Sequence, residues 1–370
     1  MNLIKHLEWG CAMASFIARI TCGLLVANGI WLKRLAQVSN KDDVNITVES
    51  EIRKLQRFFS DFNIDYRNFS SMLYAMLRTR GKVTIILDRT NWDFGKSHIN
   101  VLVASILYQT SDNKSFAIPI VWEVFDKKGN SNTQERKDVM QRLFDVVGNE
   151  NIECVLGDRE FIGEEWFAFL AINKIPFILR IKKNMYVQVG EKRVRVESLV
   201  GGVSNKKAIK LDVTINGLPV SLAATKSKDG ELVIVIASMN IDDPLNHYRL
   251  RWLIELFFKS IKSQGFKLEE THMTNPIKIK KLFALIALAT LYAVLAGAMR
   301  HCFIKKIPIK KHGRPTYSIF TYGLDFLRAL LAGKVPSVSY HLSLLVISPP
   351  IKSLTDLSLQ QKLNFALCEA

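Results

Sequence analysis

Apolar positions along the chain change their period, and each change marks a change of element type. Up to about residue 80 the apolar groups come in helical stretches, at residues 16–20, 24–32, 48–59 and 69–77. From Val83 the runs become short and β-branched. Residues 82–87 form a buried strand that ends in Asp88. Residues 99–109 and 116–125, joined across the polar segment 110–115, form a hairpin, and Pro119 places its second arm at an edge or a bulge. Asn132 opens a capped helix that runs to Val147. Residues 152–156 are a second buried strand, closed by Gly157 and Asp158; a helix over 164–173 and a strand at 176–181 follow. The order is three strands, helix, strand, helix, strand.

Short alternating runs then occupy 186–189, 193–196, 210–215, 220–225 and 232–237, separated by turn signals such as Asn216-Gly217 and Asp229-Gly230. This is a β-rich insertion. Residues 248–262 return to a helical period of about 100° per residue. One face carries Tyr248, Arg251, Glu255, Lys259 and Lys262 within roughly 80°, and Leu250, Leu253, Ile254, Phe257, Phe258 and Ile261 form the apolar stripe. The uncharged segment 282–299 reaches the lower limit for a membrane span. Its many Ala and Gly residues, and its place directly after the polar-faced helix, favour a buried core helix. The apolar segment 10–31 is interrupted by Arg19 and makes a poor signal peptide. A final core-packing helix is expected over 317–330, and no role is assigned to the tail.

The division expected is 1–80 helical, 81–183 first part of the core, 184–240 insertion, 241–335 completion of the core, and 336–370 tail. The fold class is α/β. At 48% hydrophobic and 10% aromatic residues, the 370-residue chain has the composition of a globular protein and not of a disordered one. A formal charge of +17 draws phosphate backbones, although acidic membrane surfaces account for it as well. Five cysteines, without paired spacing, show no disulfide framework and fit a reducing compartment.

The candidate chemistry lies in three acids. Asp88 and Asp158 each follow a buried strand, and ligands bind outside the carboxyl ends of parallel strands. Two carboxylates side by side need a cation between them. Hard oxygen donors without a thiolate or imidazole cluster suit Mg²⁺ or Mn²⁺. With Glu255 as third ligand, a pair of ions would clamp a phosphodiester for in-line displacement. Asp242 and Asp243 are decoys for the third acid and are expected to cap the helix. Gly95-Lys96-Ser97 lacks the upstream Gly of a phosphate-binding loop, because position 90 is Thr.

Tyr248-x2-Arg251-x3-Glu255-x6-Lys262 resembles the YREK signature of DDE transposases of the insertion-sequence-four family. Leu-Asp-Arg-Thr-Asn-Trp around Asp88 and Gly-Asp-Arg-Glu-Phe around Asp158 are similar to that family's first two acidic motifs. The likeness runs from about residue 54 to about residue 330. It implies an RNase H-like core carrying a β insertion, with Asp88, Asp158 and Glu255 holding two Mg²⁺ or Mn²⁺ ions. It implies Tyr248, Arg251 and Lys262 as phosphate contacts; Arg159, Trp252 and Lys259 are further candidate DNA contacts by their positions beside the second acid and the polar face. Arg159 is alternatively a partner for Glu160 or Glu164, and Trp252 either stacks a displaced base or is simply buried. The expected partners are double-stranded DNA with inverted-repeat transposon ends, target DNA and a second copy of the chain, with no membrane. The setting expected is the nucleoid of a prokaryotic cytoplasm, and residues 1–80 are the expected reader of the DNA end. Two rival functions are an RNase H-like nuclease or resolvase without strand transfer, and a non-enzymatic basic membrane-associated protein.

Overall fold

Branched and aromatic side chains dominate the strand segments because they pack well on a pleated, half-buried surface. The structure, a computed structural model, describes residues 10–334 apart from 28, 40–46, 80, 111, 205–206, 228 and 312; the tail 336–370 lies outside the described residues. β1 (Val83–Phe94), β2 (Ser97–Gln109) and β3 (Ser115–Asp126) form an antiparallel meander. β1 runs well past its expected end, so Asp88 lies inside the strand and not beyond it. The reason is its partner: β2 continues to pair with β1 as far as Phe94↔Ser97, and Thr90 and Trp92 keep the alternation of buried positions going. Pro119 satisfies both readings made of it. β3 is the sheet's edge strand, and the register slips so that Ala104 faces Val121 while Ser105 faces Pro119, leaving Ile120 as a bulge.

The capped helix α5 (Thr133–Val147) starts as expected: Asn132 Oδ1 accepts the Glu135 N–H, and the Glu135 carboxylate accepts the Asn132 N–H. β4 (Ile152–Gly157) then pairs parallel with β1, and α6 (Glu164–Ile172) leads to β5 (Phe177–Arg180), parallel to β4. This order and pairing are those of an RNase H-like α/β core.

The insertion supplies β6 (Tyr186–Val189), β7 (Lys192–Arg195), a short helix α7 (Val196–Leu199), β8 (Ile209–Ile215), β9 (Leu218–Lys226) and β10 (Leu232–Ala237). It extends the core sheet directly. β10 pairs antiparallel with β5, giving ten strands in the order β3-β2-β1-β4-β5-β10-β9-β8-β6-β7.

Helices α1 (Cys11–Ala27), α2 (Leu32–Ser39), α3 (Val48–Asp61) and α4 (Tyr66–Leu77) precede the sheet. The apolar run at 24–32 is thus split between two helices. After the sheet come α8 (Pro244–Arg249), α9 (Trp252–Lys259), α10 (Pro276–Met299) and α11 (Ile319–Leu331). α10 contains the segment long and apolar enough to cross a membrane, yet every residue from Leu282 to Met299 except Tyr292 is buried inside the protein. It is the central core helix. Lys281, also buried, donates to the Phe59 carbonyl at 2.9 Å and to those of Phe58 and Ser60 at 3.5 Å, so its charge meets the negative end of α3. That contact ties the amino-terminal helices to the core.

Candidate active site

The parallel strands β1, β4 and β5 place Leu87, Gly157 and Leu179 in one row. The next residue on each strand is Asp88, Asp158 and Arg180. Register alone therefore sets the two acids side by side at the carboxyl end of the parallel pair, with an arginine beyond them. Gly157 is needed in this row: a Cβ there would lie 2.8 Å from Leu179 Cδ2 and 3.0 Å from Phe161 Cβ. Arg180 is a site residue that motif reading missed. Its signal was positional, since it occupies on the third strand the place the acids occupy on the first two.

Asp88 accepts the Arg89 backbone N–H at 2.8 Å through Oδ1 and the Arg251 guanidinium at 2.9 Å through Oδ2. Burial nevertheless pushes its pKa up to about 7; Arg251 and the Arg89 N–H oppose the rise, and the charges of Glu160 and Asp158 add to it. Asp158 Oδ1 is buried and has no hydrogen-bond partner among the described residues. The Arg89 guanidinium turns away from Asp88 to pair with Glu160 at 3.2 Å and to donate to Asn130 at 3.0 Å. The residues flanking the two acids thus lock the two strands' ends together.

Residues 248–262 are not one uniform helix. Asp243 caps α8, the short helix before α9, by accepting the Asn246 N–H, and the Asp242 carbonyl accepts from Lys210 at 3.0 Å, so one of the two decoys is a cap, of a different helix than expected. Leu250 and Arg251 keep right-handed helical angles, but the bonds around them run to the third residue: Arg251 N–H to Tyr248 O and Ile254 N–H to Arg251 O. Ser260–Gln264 is a π-helical turn. Tightening before α9 and widening after it rotate the ends of the expected polar face. Tyr248 is consequently buried at 7% exposure, with its hydroxyl unpartnered among the described residues, and burial raises its pKa. Arg251, also buried, lies 5.8 Å from the Tyr248 ring centroid and bridges Asp88 and Glu255. Lys262 donates to the Asn91 carbonyl at 2.8 Å, pairs with Glu269 at 2.7 Å, and stands 6.0 Å from the Trp92 ring centroid. Trp252 is 58% exposed and Lys259 is exposed, so Trp252 takes the solvent-facing position of its two expected alternatives.

Arg159 pairs with neither Glu160 nor Glu164. Its partner is Glu231, at 3.3 Å, from the turn before β10; the same carboxylate takes Arg180 at 2.5 Å. Among the described residues no three His, Cys, Asp or Glu side chains are arranged to hold a metal ion as they stand. The donor set still fits a hard divalent cation. Asp88 and Asp158 are close enough to raise the Asp88 pKa, Asp158 has a buried oxygen without a partner, and the positive charge between Asp88 and Glu255 is supplied by Arg251. A guanidinium satisfies two of the acids, and the third has a lone pair to spare.

A family model described as "Transposase DDE domain" matches residues 79–292. Among solved structures, the chain is similar to the piggyBac transposase synaptic complex with hairpin DNA at 11% identity and a TM-score of 0.48, over 95% of this chain and 74% of that one. It is also similar to Endonuclease V from Bacillus subtilis at 11% identity and a TM-score of 0.26, over 63% of this chain and 95% of that one. No curated protein matches the chain. The family match spans more than half of the chain and takes in β1, β4, β5 and α9 with the three acids they carry. The chain belongs to the Transposase DDE domain family and is a transposase, an enzyme that cleaves DNA strands and transfers them.

Proposed function

We propose that this transposase acts on the inverted-repeat ends of its own insertion sequence, as a member of the insertion-sequence-four group, with Asp88, Asp158 and Glu255 as its catalytic carboxylates. The observation that carries this reading is the meeting of two aspartates, side by side where the parallel pairing of β1 and β4 ends, with the Arg251–Glu255 pair of the helix that packs over them. Family members use divalent metal ions. Here Asp88, Asp158 and Glu255 would hold Mg²⁺ or Mn²⁺, two ions in the full centre. When bound, such ions activate the attacking oxygen and stabilise the leaving one.

The chain's own groups then do the rest. A water-derived oxygen attacks the phosphodiester at the element end, and the freed 3′-hydroxyl afterwards attacks a second strand. The chemistry does not depend on base identity, so the amino-terminal helices are assigned the reading of the DNA end. Arg251 exchanges partners in this scheme: it neutralises the acids before DNA arrives and moves to a phosphate near the scissile bond afterwards. Lys262, Lys259, Arg159 and the exposed Trp252 line the same approach, and Tyr248 supports Arg251 from beneath. Joining two ends calls for a dimer on paired ends. The setting is the nucleoid of a prokaryotic cytoplasm.

The test is a cleavage and joining assay with an uncut duplex carrying the element's flanking repeat, run beside the same end supplied pre-cut. Wild type yields joined products in Mg²⁺, and Glu255→Ala binds the end but loses cleavage and joining by at least about a thousandfold, the effect of about 4 kcal/mol of lost transition-state stabilisation. Cleavage without joining would reduce the protein to a nuclease on this substrate, and equal activity in both would remove Glu255 from the chemistry.

A further inference from the structure

The far edge of the sheet carries a second cationic surface that the catalytic scheme does not use. In the β6–β7 hairpin Tyr186 pairs with Arg195, Val187 with Val194, and Gln188 with Arg193. Alternation sends Val187 into the core and puts Tyr186, Arg193 and Arg195 together on the opposite face. The Arg193 guanidinium lies 4.8 Å from the Tyr186 ring centroid and that of Arg195 lies 5.5 Å from it. Arg195 Nε also donates to the Tyr186 hydroxyl at 2.9 Å. Of the two acids that flank the pair in sequence, Glu197 is taken by Lys183 at 2.9 Å, and Glu191 is exposed in the hairpin's turn. Lys192, exposed, begins the same strand.

Cations on an edge strand deter sheet-to-sheet aggregation, and scattered lysines would serve that purpose. This hairpin goes further. It gathers two like charges on one aromatic ring and restrains the side chains that carry them, an arrangement whose repulsion a polyanion relieves and whose ordering lowers the entropy cost of binding one. We propose that the β6–β7 hairpin is a second contact for the DNA backbone, in which Tyr186 holds Arg193 and Arg195 as a phosphate clamp. The inference rests on the reading of the chain as a transposase acting on duplex ends. Six strand spacings separate β4 from β7, about 29 Å at about 4.8 Å each, and register sets Arg193 four and Arg195 six residues along the strands from the row of Arg180, a further offset of about 13–20 Å at about 3.3 Å per residue. The two offsets combine to about 32–35 Å, so a duplex that runs obliquely across the sheet from Asp158 reaches the hairpin about nine to ten base pairs away, at about 3.4 Å per pair.

The test measures binding of full-length protein to an end-bearing duplex of about 30 base pairs, across a range of salt concentrations. Arg193→Gln with Arg195→Gln is expected to weaken binding about tenfold or more, and to lower the steepness of log Kobs against log salt by about two. Tyr186→Ala, with both arginines kept, is expected to lose part of the affinity. Lys174→Gln, an exposed cation between α6 and β5, sets the effect of deleting an arbitrary charge. On a duplex trimmed to about five base pairs either side of the cleavage point, the arginine deficit should disappear. A deficit no larger than that of Lys174→Gln, or one of equal size on long and trimmed duplexes, would overturn the clamp. If wild type cleaved neither duplex, the transposon-end reading itself would fail, which is a separate outcome from failure of the hairpin alone.

Discussion

At the scale of single residues, Asp88 and Arg251 carry the account. Burial makes the Asp88 carboxyl resist ionisation, and the nearby charges of Glu160 and Asp158 add to that resistance, so that its pKa stands near 7. The direction has a consequence for stability. An acid whose folded pKa lies above its ordinary 3.8 keeps its proton in the folded state over a window where the unfolded chain has released it. Wild-type stability should accordingly fall as pH rises through that window, from about 4 to about 7, when no metal is present. Asp88→Asn removes the ionisation while leaving an acceptor for Arg251. Thermal melts of the two proteins in chelator should therefore show the variant's relative stability growing between pH 4 and 7 and levelling above it. A difference that is flat or shrinks over that range would mean that Asp88 is ionised throughout. The three acids and Arg251 were legible in the sequence because their spacing is a motif. Arg180 and Glu231 were not, because their place beside Asp158 depends on strand register and on a turn folding back from the insertion.

At the scale of elements, hydrophobic period located nearly every helix and strand but misjudged where some of them stop. β1 was cut short because Asp88, Arg89 and Asp93 break its apolar run, whereas pairing with β2 carries the strand past them. The segment 248–262 kept helical period throughout, yet period does not distinguish bonds to the third, fourth or fifth residue. That distinction moved Tyr248 into the core. α10 shows the opposite case, in which composition was informative: its small residues mark a close crossing with α11. A Cβ on Gly323 would lie 1.8 Å from the Ala293 carbonyl oxygen and 2.3 Å from the Gly297 nitrogen, so the two helix backbones touch here. Gly323→Ala must push them apart. We expect it to cost about 1–3 kcal/mol or more in denaturant unfolding, although it adds a single methyl group. Unchanged stability would show that the crossing tolerates separation.

At the scale of the whole molecule, the sheet is what unites recognition and chemistry. It continues without a break from the acid-bearing strands into the insertion, so the two aspartates, the Arg159–Glu231–Arg180 cluster and the cationic β6–β7 edge lie on one continuous platform. The chain's excess of positive charge supplies attraction for DNA, and the burial of α10 inside the protein accounts for its membrane-like hydropathy. What remains central is whether the acids form a metal centre that Arg251 guards. Titration of Mn²⁺ into metal-free, DNA-free protein, followed by electron paramagnetic resonance, addresses it directly. The account predicts that Arg251→Gln binds Mn²⁺ about tenfold more tightly than wild type, because a competing charge has gone, and that Asp158→Asn binds it far more weakly. Equal or weaker binding by Arg251→Gln, or undiminished binding by Asp158→Asn, would contradict it.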